Sequence, residues 1–451
     1  MRSSTRPIRE ETLCAGRRGV LMAMSSLATL GPLVLASLTV ALPSRLAACA
    51  SASRAGRFGI CAADGKPVVL RGANYIRLDS TQHYHSTFSL SDYNRTRFNG
   101  AMRDLAGKGF NINRVFIDHR ASSGVGGLPG SRAPLDLKYI GRLAEYVDDA
   151  ANFGLYTMVT LSWLPLNAYF ANRTRHMPNR SSYNSQFLSS VGHAAWVEFC
   201  ALFAAALSDA LVARTATGGS VLFSLQNEFF LRGDEWPFDI TDDSVSTAAG
   251  VFSMAATTER QQAADANTNA WADACRVALR ARMPSSLVTV GVFTFHAVHK
   301  AGPSGLPAAD CARAKDCRFP ARPYWLSRSN LDVLDVHIYQ AEGDNASLAA
   351  NLQTEEWAGL RAEKPVIMGE FGCLGGVAGG GWYRDAHACA PHVAALQRTS
   401  CSFGFVGWLF WTYDTDDLQE QPQWFSMVDD GGAIETALAP NSRPDACARE
   451  P

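Results

Sequence analysis

The sequence predicts an α/β protein, a (β/α)8 TIM barrel making up a single domain, and three observations carry that expectation. Eight short runs rich in apolar and β-branched residues follow one another, segments of helical period separate them, and polar or charged residues stand at the C-terminal ends of several runs. Alternating strand and helix signals imply a parallel sheet covered by helices. Eight such units argue for closure into a barrel. An open doubly wound sheet is the competing arrangement, but no G-x-G-x-x-G or P-loop follows any run, which weakens it.

The predicted strands, in order, are "PVVLRGANY" (67–75), "INRVFI" (112–117), "YTMVTLSW" (156–163), "SVLFSLQNE" (220–228), "LVTVGVF" (287–293), "VLDVHIY" (333–339), "PVIMGEF" (365–371) and "GFVGWLFW" (404–411). Between them, Phe98, Met102, Leu105 and Ala106 share one helical face, as do Leu137, Ile140, Ala144, Val147 and Ala151, which follow Pro134 and precede the helix-stopping Gly154. The longest and most apolar helical segment is 193–214. Two insertions, 229–262 and 296–330, follow strands four and five, at the end where a barrel carries its active-site loops.

Length and composition narrow the function. With 451 residues, 47% hydrophobic and 18% charged, the chain is long enough to bury a large core and is globular. Lys plus Arg number 41 against 42 Asp plus Glu, so there is no basic field to hold nucleic acid or to adhere to an anionic membrane. Neutral ligands suit it better.

Residues 1–50 predict an export signal or an N-terminal signal anchor, ahead of a domain over 51–451. Arg17 and Arg18 precede the uncharged stretch Gly19–Ser44, and in "LAACASAS" Ala48 and Ala50 fit an A-x-A cleavage site. The apolar stretch is nearly long enough to span a bilayer, so membrane attachment is expected only if it stays uncleaved. A secreted or extracellular destination follows. Cys14 and Cys49 fall in the predicted leader, leaving nine cysteines for the exported part, where disulfides form; the close pair Cys311 and Cys317 is a candidate bridge. No C-x-x-C or zinc-type spacing occurs, so no metal and no other cofactor is expected. Asn94, Asn172, Asn179 and Asn345 stand in N-x-S/T triplets that could carry glycans.

In a barrel the reactive groups gather at the C-terminal strand ends. There stand Arg114 on strand two, Trp163 after strand three, Asn227 and Glu228 closing strand four, His337 and Tyr339 on strand six, Glu370 on strand seven, and Trp408 and Trp411 on strand eight. Two carboxyl groups facing one another among aromatics suit glycosidic bond cleavage. Proximity splits their proton affinities, one acid keeping its proton while the other, beside a cation such as Arg114, stays ionised. Position alone does not assign the roles.

The ordered set "NRVFI", "QNE", "DVHIY", "GEFG" and "GWLFW" resembles glycoside hydrolase family 5, in clan A, the family of many cellulases and mannanases, over about Phe58 to Pro440. The resemblance implies a retaining double displacement on β-linked glycans, cellulose- or mannan-type, with Glu228 as acid/base and Glu370 as nucleophile. It further implies that Arg114 and Tyr339 orient Glu370, that Asn227 reaches the sugar 2-hydroxyl, that His337 tunes Glu228, and that Trp411 forms a platform under the reacting sugar. One departure stands out. Ser162 and Trp163 occupy the end of strand three, where the family commonly places a histidine.

Each residue alone also fits a structural role. Asn-Glu after a strand suits a helix cap, His337 a satisfied core position, Cys373 a structural bond, and either tryptophan the barrel core, since positions three apart on a strand face opposite ways. Tyr75, Trp163, Tyr169, Trp236 and Trp382 are candidates for sugar subsites. The expected protein is a monomeric β-glycanase. A non-catalytic carbohydrate-binding barrel at the cell surface and a transglycosylase using the same glutamates are the alternatives.

Overall fold

Runs buried on both faces are what a closed parallel sheet requires, and all eight predicted runs form strands. They are β1 (Leu70–Asn74), β2 (Ile112–Phe116), β3 (Tyr156–Thr160), β4 (Val221–Ser224), β5 (Leu287–Thr289 and Gly291–Phe293), β6 (Leu334–His337), β7 (Val366–Gly372) and β8 (Phe405–Trp411). The computed structural model describes residues 43–50, 58–78, 85–214, 221–300, 305–306, 316–339, 347–353, 357, 364–375, 383–414 and 424–448, all within a unit spanning Val40–Pro451.

Each strand pairs in parallel with the next, and β8 pairs with β1. Closure falls on β5, whose first half pairs with β4 and second half with β6. The sheet is therefore a (β/α)8 barrel. Several strands are shorter than the runs that announced them. β4 stops at Ser224, whose hydroxyl donates to the Gln226 carbonyl, so Asn227 and Glu228 lie beyond the strand on a segment turned toward the mouth.

The helices lay apolar stripes on the barrel. α1 (Arg95–Gly107) buries Phe98, Ala101, Met102 and Leu105, and its N-cap Asn94 accepts from the Arg97 amide. α2 (Leu137–Asn152) starts at Asp136, which caps the Lys138 amide, and ends before Gly154, whose φ of 83° suits glycine. α3 (Ser190–Ala213) buries Trp196, Phe199, Phe203, Leu207 and Leu211. Among the described residues it is the one helix long and apolar enough to cross a membrane, and here it packs against α4 (Thr257–Arg280). The two insertions meet: Phe230–Arg232 pairs antiparallel with Arg318–Pro320.

The floor of the barrel, opposite the mouth, is filled by Leu70, Ile112, Met158, Leu222, Leu287, Ile367 and Leu409, packed with Leu46 and Ile60. Those last two come from an antiparallel pair, Leu46–Ala50 with Phe58–Ala62, bonded through Cys49–Cys61. This corrects the assignment of Cys49 to the leader. A row of small residues after an apolar stretch reads alike as a cleavage patch and as a short strand, and here it is a strand. The leader up to residue 42 lies outside the described residues.

Cys373–Cys389 ties the end of β7 to α5 (Ala386–Ser402), and Cys401–Cys447 secures the C-terminal segment. Cys317 is also disulfide-bonded, while Cys311, its expected partner, lies outside the described residues. Cys200 and Cys275 are free and buried.

Candidate active site

The strand ends build the site around a buried cation. Arg114, fully enclosed on β2, donates through Nη1 to Asn74 Oδ1 at 3.0 Å and to Glu370 Oε1 at 2.5 Å, and through Nη2 to Asn227 Oδ1 at 2.9 Å. Its guanidinium lies 4.6 Å from the centre of the Phe116 ring. An isolated buried charge costs several kcal/mol, and this set of partners offsets the cost. Asn74, on β1, is fixed in turn by donating to the backbone carbonyls of Gly369 and Phe410.

Glu370 sits near the end of β7 and is buried. Oε1 accepts from Arg114 and Oε2 accepts from the Tyr339 hydroxyl at 2.8 Å. Glu228, from the segment after β4, keeps about a third of its side chain (32%) open to solvent, and its Oε1 lies 3.2 Å from His337 Nδ1. His337 Nδ1 is also 3.5 Å from Glu370 Oε2. One oxygen from each glutamate and one ring nitrogen of His337 thus fall within 4.8 Å of one another. Three such atoms could hold a divalent cation, but both Glu370 oxygens already accept from Arg114 and Tyr339. The guanidinium supplies the positive charge there.

Behind His337 lies Asp335, two residues earlier on β6 and fully buried, with Oδ1 3.6 Å from His337 Nε2 and accepting from the Gly369 amide at 2.7 Å. Close packing demands glycine at two points. A Cβ on Gly369 would stand 2.1 Å from Asp335 Oδ1, and one on Gly291 would stand 1.9 Å from the Asn227 carbonyl oxygen.

These contacts set the charges. Burial would hold the His337 imidazolium down, yet Glu370, Asp335 and Glu228 raise it to about 10, so His337 carries a proton at neutral pH. Burial also acts to raise Glu228, but the hydrogen bond and charge of His337, with Arg114 and Arg318, bring it below the ordinary glutamate value. For Glu370 burial prevails over His337 and Arg114, and its carboxyl is pushed up. The pair is therefore split in the sense opposite to the sequence expectation: burial makes Glu370, beside Arg114, the harder of the two to ionise, while Glu228 ionises readily and the proton on its side rests on His337.

Trp411, at the end of β8, sits at the mouth in a cluster with Ile76, Phe116, Tyr339 and Trp424, its ring edge-on to Phe116 at 5.7 Å. Trp408 does not join them. Its indole N–H donates to Ser400 in α5 at 2.8 Å, so it belongs to the layer between barrel and helix, and its expected place in the site is corrected. Trp163 lies to one side, its ring 5.1 Å from Tyr183 and 5.7 Å from His119. Tyr75 is enclosed against Tyr146 and Tyr413, Tyr169 bonds Glu198, and Trp382 lies outside the described residues.

Beside Glu228 a cavity of about 160 Å³ is lined also by Phe293, Thr294, His296, Arg318, His337 and Asn351. The sequence alone did not single out Asn74, Asp335, Phe293 or Arg318. Asp335 carried a usable signal, since it shares the inward face of β6 with His337 by two-residue alternation. Arg318 carried none, because it arrives through the pairing of two distant loops.

No family model matches the chain, and a search of curated proteins also finds no match. Solved structures do resemble it. The exo-β-1,4-mannosidase Op5Man5 from Opitutaceae bacterium strain TAV5 superposes with a TM-score of 0.54 at 18% identity, over 88% of this chain and 63% of that one. The endo-1,4-β-mannanase from Rhizomucor miehei gives a TM-score of 0.52 at 13% identity, over 88% of this chain and 98% of that one. This chain therefore spans less than two thirds of the mannosidase. At these identities the likeness is one of fold.

Proposed function

We propose that this protein is a retaining β-glycoside hydrolase of the family 5 type, acting on a β-linked glucan- or mannan-type glycan through Glu228 and Glu370. One observation carries the proposal: glutamate oxygens from β7 and from the end of β4 stand within 4.8 Å of each other at the barrel mouth. Oxygens so close suit a retaining pair, whose carboxyl groups usually stand roughly 5 to 5.5 Å apart, better than the roughly 6.5 to 9.5 Å that leaves room for water in inverting enzymes. The two structural neighbours, an exo-β-1,4-mannosidase and an endo-1,4-β-mannanase, agree with it.

Glu370, gripped by Arg114 and Tyr339, attacks the anomeric carbon. Glu228 passes a proton to the departing oxygen, drawing it from the proton held in its hydrogen bond with His337. In the second half Glu228 takes a proton from water, the water oxygen attacks the anomeric carbon, and Glu370 is released as a carboxylate. Asn227 has its Oδ1 bound to Arg114, so its amide N–H groups are the ones left to meet the sugar 2-hydroxyl. Trp411 offers its ring to the sugar face. Three described disulfides support export, since such bonds persist in oxidising compartments.

The test is trapping. A 2-deoxy-2-fluoro β-glycoside with a good leaving group should add one glycosyl mass to the peptide containing Glu370, and Glu370→Ala should abolish both labelling and turnover of aryl β-glucosides and β-mannosides. Turnover that persists in Glu370→Ala would end the assignment. A panel of cellulose, mannan, xyloglucan and β-1,3-glucan then names the backbone.

A further inference from the structure

Beside the mouth, after β3, opens a pocket of about 750 Å³, far larger than the cavity at Glu228. Its walls include Trp163, Leu164, Leu166, Phe170 and Met177, and Leu166 leaves 57% of its surface exposed. The polar groups that line it are mostly spent. Asn167 donates to the carbonyls of Gly126 and Pro134 and accepts from the Phe170 amide, while Thr174 donates to the Phe170 carbonyl. Burial holds His119 down at about 4, so it is uncharged. Arg180 stands exposed at the rim, which leaves Gln186 as the main polar contact. A sugar unit must replace several hydrogen bonds to water on binding, and this lining does not supply them.

A row of rings joins the pocket to the reacting bond. Trp163 meets Tyr183 at 5.1 Å, Tyr183 stacks on Phe230 at 4.7 Å, Phe230 lies 6.2 Å from Phe293, and Phe293 lines the cavity with Glu228. The Tyr183 hydroxyl also accepts from Gln226, two residues before Glu228. Resting on the proposed roles, the leaving group departs on the side of Glu228, which protonates it, and Glu228 shares its cavity with Phe293, the last ring of this row.

We propose that the pocket after β3 receives an apolar aglycone, so that the substrate class includes β-glycosides of hydrophobic alcohols, with the sugar at the glutamate pair and the alkyl or aryl part along the Trp163–Phe293 row into the pocket. The absence of a histidine at the end of β3 fits this use. Ser162 and Trp163 stand there, and the Ser162 backbone, at a φ of 62°, makes the turn that leads into the indole.

Two readouts test it. Methyl, butyl and octyl β-D-glucosides and β-D-mannosides, kept below micelle-forming concentrations, should show kcat/KM rising by about two- to fourfold per added methylene until the chain is seated. Leu166→Asp, at an exposed site, should flatten that dependence. Separately, the neutral dye 1-aminoanthracene should bind, be displaced by 1-octanol, and bind Leu166→Asp about tenfold more weakly. Rates independent of chain length, with no displaceable dye, overturn the aglycone pocket while leaving the glycosidase intact. Displaceable dye without turnover of any glycoside overturns the glycosidase instead and leaves an apolar receptor.

Discussion

Asp335→Asn removes one charge from the site while keeping its shape and an acceptor for the Gly369 amide. In the native protein the carboxylate lies 3.6 Å from His337 Nε2. Two unit charges at that distance, in an effective dielectric of about 20, attract by about 4 to 5 kcal/mol, equivalent to about three pH units of proton affinity. His337, raised to about 10 in the native site, should then titrate near 7. In the proposed mechanism the His337–Glu228 pair supplies the proton for the leaving group, so losing its last proton should end activity. The alkaline limb of kcat/KM, measured on an aryl β-glycoside with a leaving group that needs protonation, should fall from about 10 toward 7. Stability follows with the same sign. A folded-state value above the unfolded one, near 6.5, gives stabilisation that is complete below about 6.5 and lost as pH rises through the folded value. Urea midpoints of the native protein should therefore decline from neutral pH toward 10, and those of Asp335→Asn should show little of that decline. An alkaline limb that stays in place in the variant would refute the coupling.

Gly291→Ala puts a Cβ 1.9 Å from the Asn227 carbonyl oxygen, which must displace the Asn227–Glu228 segment. Overpacking of this kind costs about 1 to 3 kcal/mol of stability, and kcat should fall at least about tenfold, read by urea melts and initial rates. Trp408→Phe loses the bond to Ser400 and should lower stability by about 1 to 2 kcal/mol with KM unmoved, whereas Trp411→Ala should raise KM or lower kcat. Cys49→Ser opens a disulfide between positions 12 residues apart and should cost about 2 to 4 kcal/mol in a denaturant melt while kcat at low temperature is retained.

The strands were legible because each barrel strand is buried on both faces, and burial writes itself as a continuous apolar run. The glutamates were legible because an acid that closes such a run has few structural uses. Pairings between loops were not. The contact of Phe230–Arg232 with Arg318–Pro320, which brings Arg318 to Glu228, depends on segments far apart in the chain whose residues carry no pattern of their own. Trp408 and Trp411 show a limit of another sort: alternation separates the pair but does not say which one faces inward, and Trp408 is held outward by its bond to Ser400 on α5, the helix just before β8. Asn74 was overlooked because a buried amide within "GANY" looks like any strand residue until its partner, Arg114, comes beside it.

The short pair Leu46–Ala50 and Phe58–Ala62 works as a stopper in the base of the cylinder. Leu46 packs at the base of the barrel, at the pole remote from the mouth that holds Glu228 and Glu370. A tether attached there would hold the protein by its foot and leave the opening free to face a large polymer. A processing cut after Ala50 would take away one strand of the stopper together with half of its sulfur bond.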